Sequence, residues 1–148
     1  MPKIFLFLFF SLFVLSCSNE SSQKIIQGEI YGTTWQLKYF SENKEVPIEA
    51  IILKELNRID DLFSHYKDDS LTSLINKKEI DFREANEEWK KLDQLGWNVH
   101  SKSKGYFNHK ITGNYDFNSF AKGYAVDKVS DLLKANNINN YMIEIGGE

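Results

Sequence analysis

Apolar and polar residues alternate along Glu29–Phe40, with Trp35, Leu37 and Tyr39 on one side and Thr34, Gln36 and Lys38 on the other. A period of two marks a half-buried strand. The reading is one strand opened by Tyr31-Gly32-Thr33-Thr34, where Gly32 lets another group approach the backbone. The period then changes. After Pro47, which presets φ for a first helical turn, apolar residues recur at Ile48, Ile52, Leu56, Ile59 and Phe63. That spacing predicts a helix with one core-facing stripe. Asn57, Arg58, Asp60 and Asp61 fall on its solvated side. The helix runs out near Ser64-His65-Tyr66, and Lys67-Asp68-Asp69 is a turn. Ser70 reads as the N-cap of a short helical piece, Leu71–Ile75, closed by Asn76.

Ile80–Arg83 reads as a short extended piece. A second long helix is expected from Glu84, with Ala85, Trp89, Leu92, Leu95 and Val99 as its stripe. Glu87, Glu88, Lys90 and Lys91 form its solvated face, and Gly105 stops it as a C′ glycine. Tyr106-Phe107-Asn108 is a loop, Thr112-Gly113-Asn114 a turn and Tyr115–Phe117 a short strand. A third helix follows Lys122, with Ala125, Val129, Leu132 and Leu133 on one face and Asn136-Asn137 as its cap. Tyr141, Ile143 and Ile145 alternate with Met142 and Glu144, which predicts a last strand. Strand, helix, strand is a βαβ-like order, which places ligands at strand ends. The expected class is α+β, a mixed or antiparallel sheet with helices packed on it. Gly146-Gly147-Glu148 reads as a turn into a further strand, so the domain is expected to be incomplete at its C-terminus.

A chain of 148 residues allows one domain, and 42% hydrophobic with 14% aromatic residues supplies a core. The net charge of −3 and the lack of a basic stripe argue against a nucleic-acid partner. Behind Lys3, Ile4–Leu15 is apolar except for Ser11. That is shorter than the roughly 20 residues of a spanning helix and fits a secretory leader. It ends in Val14-Leu15-Ser16-Cys17, which resembles a bacterial lipobox. The expected organisation is a lipoprotein signal over 1–17 acylated at Cys17, a polar Ser-rich tether over 18–28, and a domain over 29–148. Cys17 is the only cysteine, so the mature domain has no disulfide and no thiolate metal site. The expected location is a bacterial membrane, lipid-anchored and facing the periplasm or the cell surface.

Candidate chemistry concentrates in Tyr115–Asp127. A strand feeding a helix N-terminus leaves backbone N–H groups unpaired and ready for an anion. Asp116 and Ser119 offer oxygens, and Lys122 places a cation beside Gly123. Those groups suit a phosphate-bearing ligand with a divalent metal. From the residues alone, Tyr31, Tyr66, Tyr106 and Phe107 read as core aromatics. His65, His100 and His109 lack metal-ligand spacing and read as surface or loop residues.

Six segments in order carry a resemblance. They are Gly32–Trp35, Leu56–Tyr66, Ser70 with Leu74-Ile75-Asn76, Gly105–Asn108, Ala121–Asp127 and Ile145–Glu148. Together they resemble the FAD:protein FMN transferases, the ApbE-like flavin transferases, over about Tyr31 to Glu148. The resemblance implies an enzyme that splits FAD with Mg²⁺, transfers FMN to a threonine or serine hydroxyl of an acceptor protein and releases AMP. Tyr31, Tyr66, Tyr106, Phe107, Asn108, Asp116 and Lys122 match FAD-contacting positions, and Ser119 matches one that supplies a metal oxygen. Asn108 stands where the family usually has aspartate. Only His109–Tyr115 join two motifs that a longer segment usually separates, and the downstream aspartate and threonine of the metal site are absent. The alternatives are a catalytically silent FAD-binding lipoprotein and a structural surface lipoprotein.

Overall fold

The computed structural model describes residues 22–41 and 46–148. The leader, Cys17 and the start of the tether therefore lie outside the described residues.

The first strand splits in two. β1 (Ser22–Ile30) and β2 (Thr33–Ser41) form an antiparallel hairpin, with Ile30 opposite Thr33. Residues 22–28, expected in the tether, are instead strand. The loop between the strands is two residues long. Tyr31 (φ 54°) and Gly32 (φ 69°) both take the left-handed region, as a tight hairpin turn requires. Gly32 is thus a turn residue, not a point of close approach. Lys24, Ile26 and Gly28 pair with Tyr39, Leu37 and Trp35. Gly28 is required by its partner, because a Cβ there would lie 2.8 Å from Trp35 Nε1.

The remaining elements are α1 (Ile48–Phe63), α2 (Leu71–Asn76), a 3-10 turn (Phe82–Glu84), α3 (Glu87–Lys102), β3 (Lys110–Ile111), β4 (Asn114–Tyr115), α4 (Asn118–Ala135) and β5 (Tyr141–Ile145). β5 runs antiparallel to β2, giving a sheet of order β1-β2-β5, while β3 and β4 form a separate hairpin. The fold is α+β with an antiparallel sheet, as expected. No βαβ unit forms, because β4 and β5 lie in different sheets.

One face of the sheet carries Trp35, Leu37 and Tyr39 opposite Ile145, Ile143 and Tyr141. α4 packs against β5, and α1 against α4. The expected α1 stripe, Ile48, Ile52, Leu56, Ile59 and Phe63, is wholly buried. Ser70 caps α2 by accepting from Ser73 N. α3 starts three residues later than expected, because Asp81 caps the 3-10 turn and Asn86 accepts from Trp89 N to begin the helix. Its buried face is Trp89, Leu92 and Gly96, so Leu95 and Val99 are exposed.

That rotation has a cause. His109, expected at the surface or in a loop, lies in the loop before β3 but is fully buried, and its Nε2 lies 2.7 Å from Asp93 Oδ1. A Cβ on Gly96 would lie 2.5 Å from the His109 ring. Gly96 leaves a flat seat on α3, and the imidazole fills it beneath Trp97, Phe107, Phe117 and Phe120.

Two polar links tie the elements together. Asn76 Nδ2 donates to Tyr115 O at 2.9 Å, and Asn76 Oδ1 accepts from Tyr115 N at 2.8 Å. Arg58 donates to Glu55 and to both Glu88 oxygens, and Tyr124 Oη donates to Glu88 Oε1 at 2.5 Å. This second link joins α1, α3 and α4.

Replacing Asn76 with Ala orphans both backbone groups of buried Tyr115, and each such loss costs about 1–3 kcal/mol. Asn76→Ala is therefore expected to destabilise by about 2 kcal/mol or more in urea unfolding, and Asn76→Asp, which keeps the acceptor, by less. Hydrogen bonding to the Arg58 guanidinium holds the Glu88 carboxyl below the usual glutamate range, with burial opposing and Tyr124 assisting. A depressed carboxylate adds stability at neutral pH that is lost as pH falls through its folded value, below about 4.3. Glu88→Gln should lower Tm by a few degrees at pH 7. The difference from the parent chain should shrink towards pH 3, as followed by circular dichroism.

Candidate functional site

The β1–β2 turn lies over the second half of α1. There Tyr31 Oη donates to Leu56 O at 2.8 Å. Burial, then the nearby Asp60 and Glu55 carboxylates, push its phenol far above the ordinary range, so it stays protonated. A non-glycine residue with positive φ is strained by of order 1 kcal/mol or more, and this anchored phenol holds it in place.

Beneath the turn lies a cavity of about 840 Å³, of the size that takes an organic ligand. Tyr31, Gly32 and Thr33 line it from the hairpin. Ile59, Asp60, Phe63, Ser64, Tyr66 and Lys67 line it from α1 and the turn beyond, and Asn118, Ala121 and Lys122 from α4. Ile59, Phe63 and Ala121 give it an apolar floor.

Lys122 is the unpaired cation in this wall. It is half-buried, and among the described residues it has no hydrogen-bond or ion-pair partner. Its stem runs past Gly146, where a Cβ would lie 3.3 Å from Lys122 Cδ and 2.8 Å from Thr33 Cγ2. Lys67, by contrast, is committed to Asp61. Asp60 is half-buried, and burial pushes its carboxyl above the usual aspartate range although Lys67 and Ser64 pull it down.

α4 begins earlier than expected. Its first residue is Asn118, whose N–H donates to Asp116 Oδ1 at 2.9 Å. Lys122 and Gly123 therefore sit inside the helix and not at its N-terminal corner. Lys122 reaches the cavity by helical spacing, one turn after Asn118 and next to Ala121.

Of the sequence-derived site residues, Tyr31, Tyr66 and Lys122 meet at the cavity. Asp116 lines a smaller cleft of about 340 Å³ with His65, Asp68, Asn76 and Lys77. Tyr66 stands 80% exposed at the cavity rim. The loop residues Tyr106, Phe107 and Asn108 line neither hollow. Tyr106 is 95% exposed. Phe107 is turned in against His109 and Phe120. Asn108 Oδ1 accepts from Lys110 N. Ser119 is exposed on the first turn of α4 and lines neither hollow.

Sequence reading assigned Asp60 to the solvated side and gave Thr33, Ser64 and Asn118 no role at the site. Asp60, Ser64 and Lys67 follow at helical steps of four and three, a polar face continuing past the end of α1. That signal was available, but only the hairpin turn above it makes the face a wall.

A sequence profile of the ApbE family matches residues 31–114 and 112–148. The match breaks at the β3–β4 turn. The chain is 23% identical to the FAD:protein FMN transferase of Buchnera aphidicola subsp. Schizaphis graminum, covering 95% of this chain and 57% of that protein. It is 25% identical to that of Haemophilus influenzae, covering 93% and 57%. The chain thus spans little more than half the length of these curated relatives. The structure of the flavin transferase ApbE from Vibrio cholerae matches with a TM-score of 0.75 and 21% identity, over 86% of this chain and 58% of that one. The apo flavinyl transferase ApbE from Pseudomonas stutzeri matches with a TM-score of 0.71 at the same identity, over 86% and 60%. Matched by the family profile from Tyr31 to Glu148, this chain belongs to the ApbE family.

Proposed function

We propose that this chain carries the dinucleotide-binding part of an FAD:protein FMN transferase, which moves FMN from FAD to a serine or threonine hydroxyl of an acceptor protein. The observation that carries the reading is Lys122, a cation without a partner among the described residues, in the wall of a cavity with an apolar floor. Such a cation suits a diphosphate, and the exposed ring of Tyr66 offers a face to a flat heterocycle. Asp60 would accept a donor from the uncharged part of the ligand. Tyr31 supports the wall through its bond to Leu56 rather than through a titrating phenol. The relatives of this chain are named for the same transfer.

Mg²⁺ belongs to this reading, where it would neutralise charge on the splitting diphosphate. Ser119 would offer it one neutral oxygen. Among the described residues no three histidine, cysteine, aspartate or glutamate side chains converge on a metal position. The donors present among the described residues do not make an Mg²⁺ site by themselves. Attachment to a bacterial membrane through acylated Cys17, facing the periplasm or cell surface, completes the proposal. Among the described residues no helix is long and apolar enough to cross a membrane.

FAD titrated into the full chain should quench or shift flavin fluorescence. Lys122→Ala should weaken that binding about tenfold or more, as loss of a charged hydrogen-bond partner does; unchanged affinity would remove Lys122 from the site. With Mg²⁺ and a flavin-acceptor domain added, AMP release with a covalently fluorescent acceptor marks the transferase, and retained FAD without AMP marks a binder. Cys17→Ala should shift the protein from the membrane to the soluble fraction, read by immunoblot.

A further inference from the structure

The wall between the cavity and the smaller cleft is a ring of four residues in contact. The His65 imidazole lies on Tyr66, with ring centroids 3.9 Å apart and planes 37° apart. Tyr66 Oη accepts from Asn118 Nδ2 at 3.4 Å. The Asn118 N–H donates to Asp116 Oδ1 at 2.9 Å. Asp116 Oδ1 in turn faces His65 Nδ1 at 3.4 Å. That last contact is within ion-pair range but out of hydrogen-bond alignment, so the buried Nδ1 has no hydrogen bond. The ring joins the turn after α1 to the start of α4, and Tyr66 and Asn118 face the cavity while His65 and Asp116 face the cleft.

We propose that His65 is a positioning residue for the flavin site: it backs one face of Tyr66, leaves the other open to a ligand ring, and turns to hydrogen-bond Asp116 Oδ1 when the ligand binds. The proposal rests on the FAD reading above. An imidazole suits both contacts. A flat ring is needed to fill the space under Tyr66, and a ring nitrogen is needed to meet the carboxylate edge-on. A small rotation of the imidazole turns the 3.4 Å contact into a hydrogen bond, since nothing else occupies Nδ1. Oδ1 of Asp116 accepts from Asn118 N–H and faces His65, while Oδ2 has no partner among the described residues and is free for a donor reaching the cleft.

The test is a double-mutant cycle on FAD affinity in the full chain. His65→Phe keeps the ring and removes the nitrogen, and should weaken FAD about fivefold. Asp116→Ala should weaken it as well. Because the two groups act together, the double variant should be no weaker than the worse single one. His65→Asn restores a donor towards Asp116 without the stack and should recover part of the loss. Wild-type affinity in His65→Phe, or single effects that multiply, would overturn the proposal. A ligand-free reading separates it from the functional one. Hydrogen exchange at the Asn118 amide should quicken in His65→Phe if the ring is broken, and an unchanged rate would count against the role of His65. If the wild-type chain takes up no FAD while that exchange still responds, the ring stands and the flavin assignment falls.

Discussion

Tyr115 needs backbone partners that its own hairpin cannot supply. β3 and β4 are two residues each, too short to satisfy a buried strand end. Asn76, at the last turn of α2, takes the place of a neighbouring strand by giving one bond to Tyr115 O and receiving one from Tyr115 N. Buried backbone groups left without partners are costly, so this amide fixes where the chain runs before α4. Asp116 follows at once, its N–H donating to His109 O, and α4 then starts at Asn118. The placement of Lys122 in the cavity wall descends from that start. The position of Lys122 thus depends on an amide some way from the cavity.

The aromatic core supports the same segment from within. Phe117 meets Phe63, Trp89, Phe120 and Tyr115 at centroid distances of 5.3 to 6.2 Å, mostly edge to face. Trp89 Nε1 donates to Thr72 Oγ1, which donates to Leu62 O. Large rings bury much apolar surface, and edge-to-face pairs add to it. α1, α2, α3 and the start of α4 are therefore held at one node, and the cavity lies between α1 and α4 under the hairpin turn.

Much of this was legible in residue order. The stripe of α1 and the alternation of β2 and β5 follow from periods that packing respects, and Ser70 capped α2 because its side chain competes for the N–H groups there. The failures have physical causes. Residues 22–28 read as a polar tether because only one face of β1 meets the core, as Ile26 and Ile30 show, and its solvent face carries Gln23, Gln27 and Glu29 beside an exposed Ile25. The Tyr31-Gly32 turn was missed because tyrosine seldom takes positive φ. Leu95 and Val99 were placed inside because a glycine carries no hydrophobic signal, although Gly96 marks the buried face of α3. At the site, Tyr66 and Lys122 were named from motifs, but the wall formed by Asp60, Ser64 and Asn118 exists only once the hairpin folds over α1.

The seat that Gly96 offers His109 binds the history of the two positions together. With an imidazole in place, any side chain at 96 would strike the ring at 2.5 Å. With the imidazole gone, a glycine in mid-helix has lost its reason and costs about 1 kcal/mol against alanine. Neither site can drift alone. Descendants of this chain should lose or keep the pair as a unit, and Asp93, whose carboxylate meets the same imidazole, would travel with them as a third linked position.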